Sequence, residues 1–344
     1  MDRPLVSLIV LSFNQEKFIR QAVQAALKQD YESLEIIISD DCSTDSTYQL
    51  ICEELEGYSV EKKVVINQTS SNLGVIAHVN EVVKLTRGDL VVLAAGDDIS
   101  FTGRVSALVN VWKEYGASAV CSNATVISED GSTGRGYSGL ESGVVALNTM
   151  AKLGKSLVFG AGMAYEKAVF DDFGPIPETV RNEDMILPFR AALLNGVYFQ
   201  DIPLLYYRQH SGNLSFWSKM SGADSSEWLV LRIEQVKNLI ANYENWIESI
   251  EYSASAGKIK FALDEELKLI NNNILLHRAE IKLIKGGIFS RWVCLLGSLS
   301  LLVKNKEMVL RFVLATFSPG LYARVMQALY QRRAAKKLTP PSIC

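Results

Sequence analysis

Through roughly the first hundred residues, short apolar runs rich in β-branched residues alternate with helical text. LVSLIVLSF is followed by KFIRQAVQAALKQ, LEIIISD by YQLICEELEG, and VVINQ by VIAHVNEVVKLT, before a last run, DLVVLAAG. Strands that are apolar at nearly every position are buried on both faces, and connections of about ten to fifteen helical residues return the next strand parallel to the last. The reading is therefore α/β, a Rossmann-like, mostly parallel sheet with helices on both faces. In the first helix Phe18, Ile19, Ala22, Val23, Ala26 and Leu27 recur at helical spacing, and Asn14 is expected to cap its start.

Beyond this frame, residues from about 117 to 180 read as irregular, with glycines crowded in GSTGRGYSGLESG and LVFGAGMAY. A loop region of that length in a compact enzyme usually covers substrate or is disordered. RNEDMILPFRAALLNG reads as a helix opened by acids and closed at Asn195-Gly196, VYFQDIPLLYYRQH as a further strand pair, and the chain beyond about 217 as helical. Two regions are expected: 1–216, with halves of about 1–100 and 101–216, and a helical region over 217–344.

Charge divides the chain in the same sense. Among 344 residues with a net charge of −3, residues 282–344 hold eleven Lys/Arg against one acid, Glu307, so that segment is +10 and the first 281 residues are −13. An acidic body suits cation chemistry, and a basic tail suits an anionic partner. The five cysteines, Cys42, Cys52, Cys121, Cys294 and Cys344, are odd in number and form no CxxC, which excludes a disulfide framework and a zinc site and fits a reducing cytoplasm. MDRPLVSLIV lacks the pattern of a signal peptide, and WVCLLGSLSLLV and MVLRFVLATF fall short of the ~20 residues of a membrane span. A cytoplasmic location is expected.

Ligands of open α/β sheets bind outside the carboxyl ends of the strands. The polar residues there are SFN at 12–14, SDDCSTD at 39–45 and GDD at 96–98, with no GxGxxG or Walker loop to cradle a phosphate. A phosphate held here needs a metal ion. The adjacent carboxylates of GDD repel each other, so they form either a solvated turn or the seat of a cation.

The motifs VSLIVLSFN, IIISDDCSTDST, NLGVIAHVNEVVKLTRGD, AAGDD, NED and YRQHSGN, in this order over roughly residues 4–215, resemble the family 2 glycosyltransferases of the GT-A fold. The resemblance implies a nucleotide-sugar pocket in which Ser12 and Phe13 face the nucleotide, Phe13 packs on the base and Asp41 accepts its ring N–H, with Asp40 beside it. The alternative is that Phe13 is core and DDCSTD caps the next helix. Leu11 stands where many relatives have a hydroxyl or proline, so UDP is the expected donor carrier but uracil is not separated from thymine. GDD matches the DxD-type element: Asp98 is implied to bind Mg²⁺ or Mn²⁺ and Asp97 to contact ribose or the metal's water shell. His210 is implied as a further metal ligand, or is simply a satisfied polar residue. Arg208 meets a phosphate or pairs with an acid.

Glu183-Asp184 matches the ED motif. By that resemblance Asp184 is the general base of an inverting transfer and Glu183 supports it, against the alternative of two acids favoured at a helix amino terminus. The expected activity is metal-dependent transfer of a hexose from a nucleotide-diphosphate sugar to a hydroxyl of a glycan, in particular a lipid-linked glycan of a cell-surface polysaccharide. A non-catalytic sugar-binding scaffold and a Mg-dependent phosphoryl-transfer protein are the competing classes. In the basic carboxyl-terminal segment Trp, Phe and Leu alternate with Arg and Lys, the pattern of helices lying on the inner face of a membrane or of a helical subdomain or homo-oligomer interface. Nucleic acid is not an expected partner, because no groove-reading motif is present.

Overall fold

β2 (Leu34–Asp40) is buried at every position, and β1 (Val6–Ser12) and β4 (Leu90–Ala95) nearly so, as expected of strands covered on both faces. The computed structural model describes residues 3–58, 63–210, 223–259, 262–302 and 306–338. Besides these strands, the sheet contains β3 (Lys63–Gln68), β5 (Ile99–Ser100), β6 (Ala119–Ser128), β7 (Thr133–Gly136), β8 (Gly143–Val145), β9 (Met163–Glu166) and β10 (Val197–Gln209). Among the described residues the order is β3-β2-β1-β4-β9-β6-β10-β5, with β7 on β6 and β8 on β10. The pairs β3/β2, β2/β1, β1/β4 and β6/β10 are parallel, and β9 runs antiparallel between β4 and β6. The helices between the strands are α1 (Ile19–Leu27), α2 (Thr47–Leu55), α3 (Val75–Val83), α4 (Arg104–Tyr115), α5 (Leu147–Leu153), α6 (Ala168–Asp171) and α7 (Glu183–Leu193). Ile19, Ala22 and Val23 of α1 and Val105, Leu108 and Val109 of α4 join Val6, Leu8 and Val10 of β1 in one core.

The chain leaves β1 toward β2 on one side and β4 on the other, with Ser12 level with Asp40 and Leu11 level with Ala95. Their carboxyl ends therefore open side by side, the switch point at which such sheets bind ligands. At the opposite end the buried carboxylate of Glu35 accepts hydrogen bonds from Ser7 Oγ (2.7 Å) and the Arg87 backbone N–H (2.6 Å), while Gly88 N–H donates to Ser7 Oγ (2.9 Å). This knot accounts for the TRGD text ahead of β4.

Three expectations are corrected. Residues 119–128 are not irregular: they form β6, a long interior strand whose AVCSNATVIS text is too small and polar to show an apolar run, yet Ser122 and Asn123 are buried with their neighbours. VYFQDIPLLYYRQ is one strand, β10, and not a strand pair; its register against β6 shifts on either side of Pro203, which has no N–H for the ladder. Asn14 does not cap α1, whose cap position is Phe18. It adopts a left-handed conformation (φ 51°), and its side chain accepts the Thr44 N–H (2.8 Å).

The chain divides into two compact units, residues 1–209 with 248–262, and residues 210–247 with 263–344. The boundary expected at 216 lies outside the described residues. The second unit consists of the helix Ser225–Ser255 up to residue 247 and of the helices Asp264–Lys285, Ile288–Leu302, Lys306–Phe317 and Pro319–Leu338. Trp228, Leu283, Phe312 and Tyr322 fill its core. Buried inside it, Glu280 is held by Arg232 in two hydrogen bonds (2.9 and 3.0 Å) and by His277 and Tyr322. Burial alone would push the Glu280 carboxyl up, but Arg232 and His277 together more than offset it and hold it well below the usual range.

A Cβ on Gly88 would sit 2.6 Å from Ser7 N and 2.8 Å from Val6 C, both main-chain atoms of a central strand. Gly88→Ala is expected to lower stability by about 1–3 kcal/mol in urea unfolding, as forced overpacking does.

Candidate active site

The loop after β2 is wired to its neighbours through its acids. Asp40 accepts the Ser43 N–H (2.9 Å), Ser43 Oγ, Gln68 Nε2 (3.2 Å) and, at 3.4 Å, Ser12 Oγ. Asp41 accepts Thr69 Oγ1 (3.0 Å) and the Leu73 N–H (2.9 Å) on one oxygen and the Gly74 N–H (2.8 Å) on the other. Asp45 serves the following helix, accepting the Thr47 N–H at 3.0 Å. Asp45 thus lies just ahead of α2, whose cap position is Ser46 without a side-chain cap bond, and the two leading acids tie the strand-end loops together. Phe13 is 37% exposed and is not a core residue. Beneath the loop the buried His78 meets Ser39 Oγ through Nε2 (2.7 Å), and burial lowers its pKa.

GDD closes β4. Gly96 N–H donates to Leu11 O (2.8 Å), and a Cβ there would overlap Gln15 Oε1 and lie 3.0 Å from Ile19 Cδ1 and Ser12 Cβ, so only glycine lets the turn lie against β1 and α1. Asp97 and Asp98 are both buried. Asp98 Oδ1 accepts the Arg208 backbone N–H at 2.8 Å, whereas Oδ2 has no partner in the protein. Burial first, and Asp97 second, push the Asp98 carboxyl well above the usual range. Fully buried Arg104 donates to Leu93 O (2.8 Å), Ala161 O (2.6 Å) and Ser100 Oγ (2.9 Å). Burial brings its pKa down to about 10, with the charge of Asp98 acting the other way. The Arg208 guanidinium donates to Asp97 O (3.0 Å) and Gln21 Oε1 (2.7 Å) and lies 4.8 Å from the centre of the Phe18 ring.

Glu183 and Asp184 open α7. The Glu183 carboxylate packs so closely on Gly160 that a Cβ there would overlap its Oε1. Both side chains keep some surface, but protein surrounds them: burial raises the Glu183 carboxyl, and burial followed by Glu183 raises Asp184 to about 8. Tyr137, Phe159 and Tyr207 form an aromatic cluster, with Tyr137 4.3 Å from Phe159 and 4.9 Å from Tyr207 between ring centres. Burial and then the charges of Asp184, Cys121 and Asp98 push the Tyr137 phenol up to about 12, and Tyr207 rises through burial, Tyr137, Asp98, Asp97 and Asp184. Both phenols feel Asp98 and Asp184, so one acid of GDD and one of ED lie near the same aromatic cluster.

Arg104, Tyr137 and Tyr207 escape sequence reading. A lone arginine opening a helix and a tyrosine in glycine-rich text carry no signal, and Tyr207 is marked only by its place in YYRQH. His210 follows β10 and is half-buried; the SGN that completes its motif lies outside the described residues. Among the described residues no three His, Cys, Asp or Glu side chains converge. Octahedral cations that keep their waters need only one or two carboxylates, and the unpartnered oxygen of Asp98 beside Asp97 fits that requirement.

Residues 7–174 match the model described as glycosyl transferase family 2. An uncharacterised protein of Mycobacterium tuberculosis is 30% identical over 210 residues, 60% of this chain and 59% of that relative, so the chain spans about three fifths of its length. A GalNAc(5)-diNAcBac-PP-undecaprenol beta-1,3-glucosyltransferase of Campylobacter jejuni is 29% identical over 136 residues, 40% of this chain and 43% of that one. Among solved structures, S. aureus TarS 1–349 in complex with UDP-GlcNAc superposes with a TM-score of 0.56 at 16% identity, covering 96% of this chain and 92% of that one. The mannosyltransferase PcManGT from Pyrobaculum calidifontis, in complex with GDP-Man and Mn²⁺, gives 0.51 at 15% identity, covering 95% and 88%. The fold is that of the GT-A glycosyltransferases.

Asp184 is pushed from 3.8 to about 8, so across that window the folded chain holds a proton that the unfolded chain releases. Stability is therefore expected to fall as pH rises through it and then to level off. Thermal unfolding against pH should show a shallower fall for Asp184→Asn, which cannot titrate; an unchanged slope would place the proton elsewhere.

Proposed function

We propose that the first 216 residues, of which 7–174 match the model of glycosyl transferase family 2, transfer a hexose from a nucleotide-diphosphate sugar, foremost a UDP-sugar, to a hydroxyl of a glycan acceptor with inversion at the anomeric carbon. The observation that carries this reading is the gathering of a cation-ready carboxylate, Asp98, and a carboxylate of raised pKa, Asp184, around Tyr137 and Tyr207. The nucleotide sugars bound by TarS and PcManGT support it.

In this reading Phe13 offers its exposed ring to the base, and Ser12, Asp40 and Asp41 form the wall behind it. An ionised carboxylate has about four acceptor sites, and Asp41 uses three, so one on Oδ2 is left for the ring N–H of the base. Asp98 Oδ2, with Asp97 beside it, would hold Mn²⁺ or Mg²⁺, and His210 is the further ligand that would favour Mn²⁺. A bound divalent cation supplies Lewis-acid stabilisation of the diphosphate leaving group. Arg208, its guanidinium engaged with Asp97 O and Gln21, steadies the GDD turn. Asp184 takes the proton of the acceptor hydroxyl as its oxygen attacks, and the bond from the anomeric carbon to the diphosphate breaks. A base poised near 8 is strong enough for an alcohol in flight and is still partly ionised at neutral pH. Burial keeps it there, with repulsion from Glu183 second. The undecaprenol-linked glycan in the name of the Campylobacter relative supports a lipid-linked acceptor at the cytoplasmic face of a membrane, as in surface polysaccharide assembly.

The test is turnover of UDP-, dTDP- and GDP-hexoses with and without Mn²⁺. One donor is expected to be consumed in a metal-dependent way, with kcat/KM rising with pH toward about 8. Asp98→Ala and Asp184→Asn should each lower it by about a hundred- to ten-thousandfold. A chain that turns over no donor, or variants of undiminished activity, would reject the mechanism.

A further inference from the structure

The helices Ile288–Leu302 and Lys306–Phe317 are apolar on the side that faces away from their own core as well as on the side that fills it. Leu295, Met308 and Phe312 point inward. Outward, Ile288 (68% exposed), Phe289 (80%), Val293 and Leu296 (63%) recur at helical spacing on the first helix, and Val309, Val313 and Phe317 (62%) on the second. Trp292 packs edge-on against Phe317 with ring centres 5.4 Å apart, so the two outward faces meet in one surface. A helix that is apolar all round belongs in a protein interior or against lipid, and an exposed patch this continuous marks a partner. None of the described helices is long and apolar enough to cross a membrane.

We infer that this two-helix face docks in the plane of an anionic bilayer, its large apolar side chains entering the acyl boundary while surrounding cations meet head groups. Charge decides the occupant. The face lies within a segment that is +10 and contains a single acid, and Lys282, Lys285 and Arg324 of that segment are exposed. A second copy of this chain would bring the same positive segment against itself, whereas anionic lipid complements it, each cation adding to the attraction near the surface. The inference deepens the proposed use of a membrane-borne acceptor but is independent of the chemistry, because lipid binding is read without donor or metal.

Flotation of the full chain with phosphatidylcholine vesicles, with and without phosphatidylglycerol, tests it. Binding is expected on the anionic vesicles, to weaken with salt, and to weaken by at least about tenfold when Phe289, Leu296 and Phe317 are all changed to Ser. These side chains are exposed, so the circular dichroism and the donor turnover of the triple variant should match the parent chain. Absence of binding to anionic vesicles, or full binding by the triple variant, would overturn the inference. So would a dimer in sedimentation that the variant converts to monomer, since the face would then belong to a second copy.

Discussion

A buried carboxylate with one oxygen left without a partner carries a desolvation cost that a folded chain normally removes. Glu280 shows how: a two-pronged Arg232, His277 and Tyr322 surround it, and its proton is lost far below the usual pH. Asp98, equally buried, receives one backbone N–H, and its proton is held far more tightly than usual. Arg104 spends its hydrogen bonds on Leu93 O, Ala161 O and Ser100 and so offers Asp98 only its field. The same protein thus satisfies one carboxylate within the fold and leaves an oxygen of the other without a hydrogen-bond partner.

Close approach is the means. Gly96 brings the GDD turn against β1 and α1, and Gly160 brings the turn ahead of β9 under Glu183. Tyr137, Phe159 and Tyr207 lie among these acids and add to the low-dielectric surroundings of both pairs.

The parallel half of the fold was plain in the sequence because β1, β2 and β4 are apolar at consecutive positions, a pattern that only two-sided burial explains. The acids at the strand ends were legible for the same reason, since topology puts them in one crevice. β6 was not, because Ser122, Asn123 and Ala124 fill a crowded interior with small groups and so mimic loop text. Arg104 and Tyr137 were invisible because their importance lies in neighbours far along the chain, Ala161 and Asp184, which no local period reveals.

The short antiparallel β9 has a mechanical consequence. It is zipped to β4 through Leu90–Val92 on one side and to β6 through Ala119–Cys121 on the other. GDD at the end of β4 and the half of the fold that begins with β6 are consequently riveted into a single sheet and are not hung on a hinge. Opening them like jaws would shear two ladders at once. Relative displacement then falls to the connecting loops, and the strand end that carries Asp97 and Asp98 keeps a set position relative to β6.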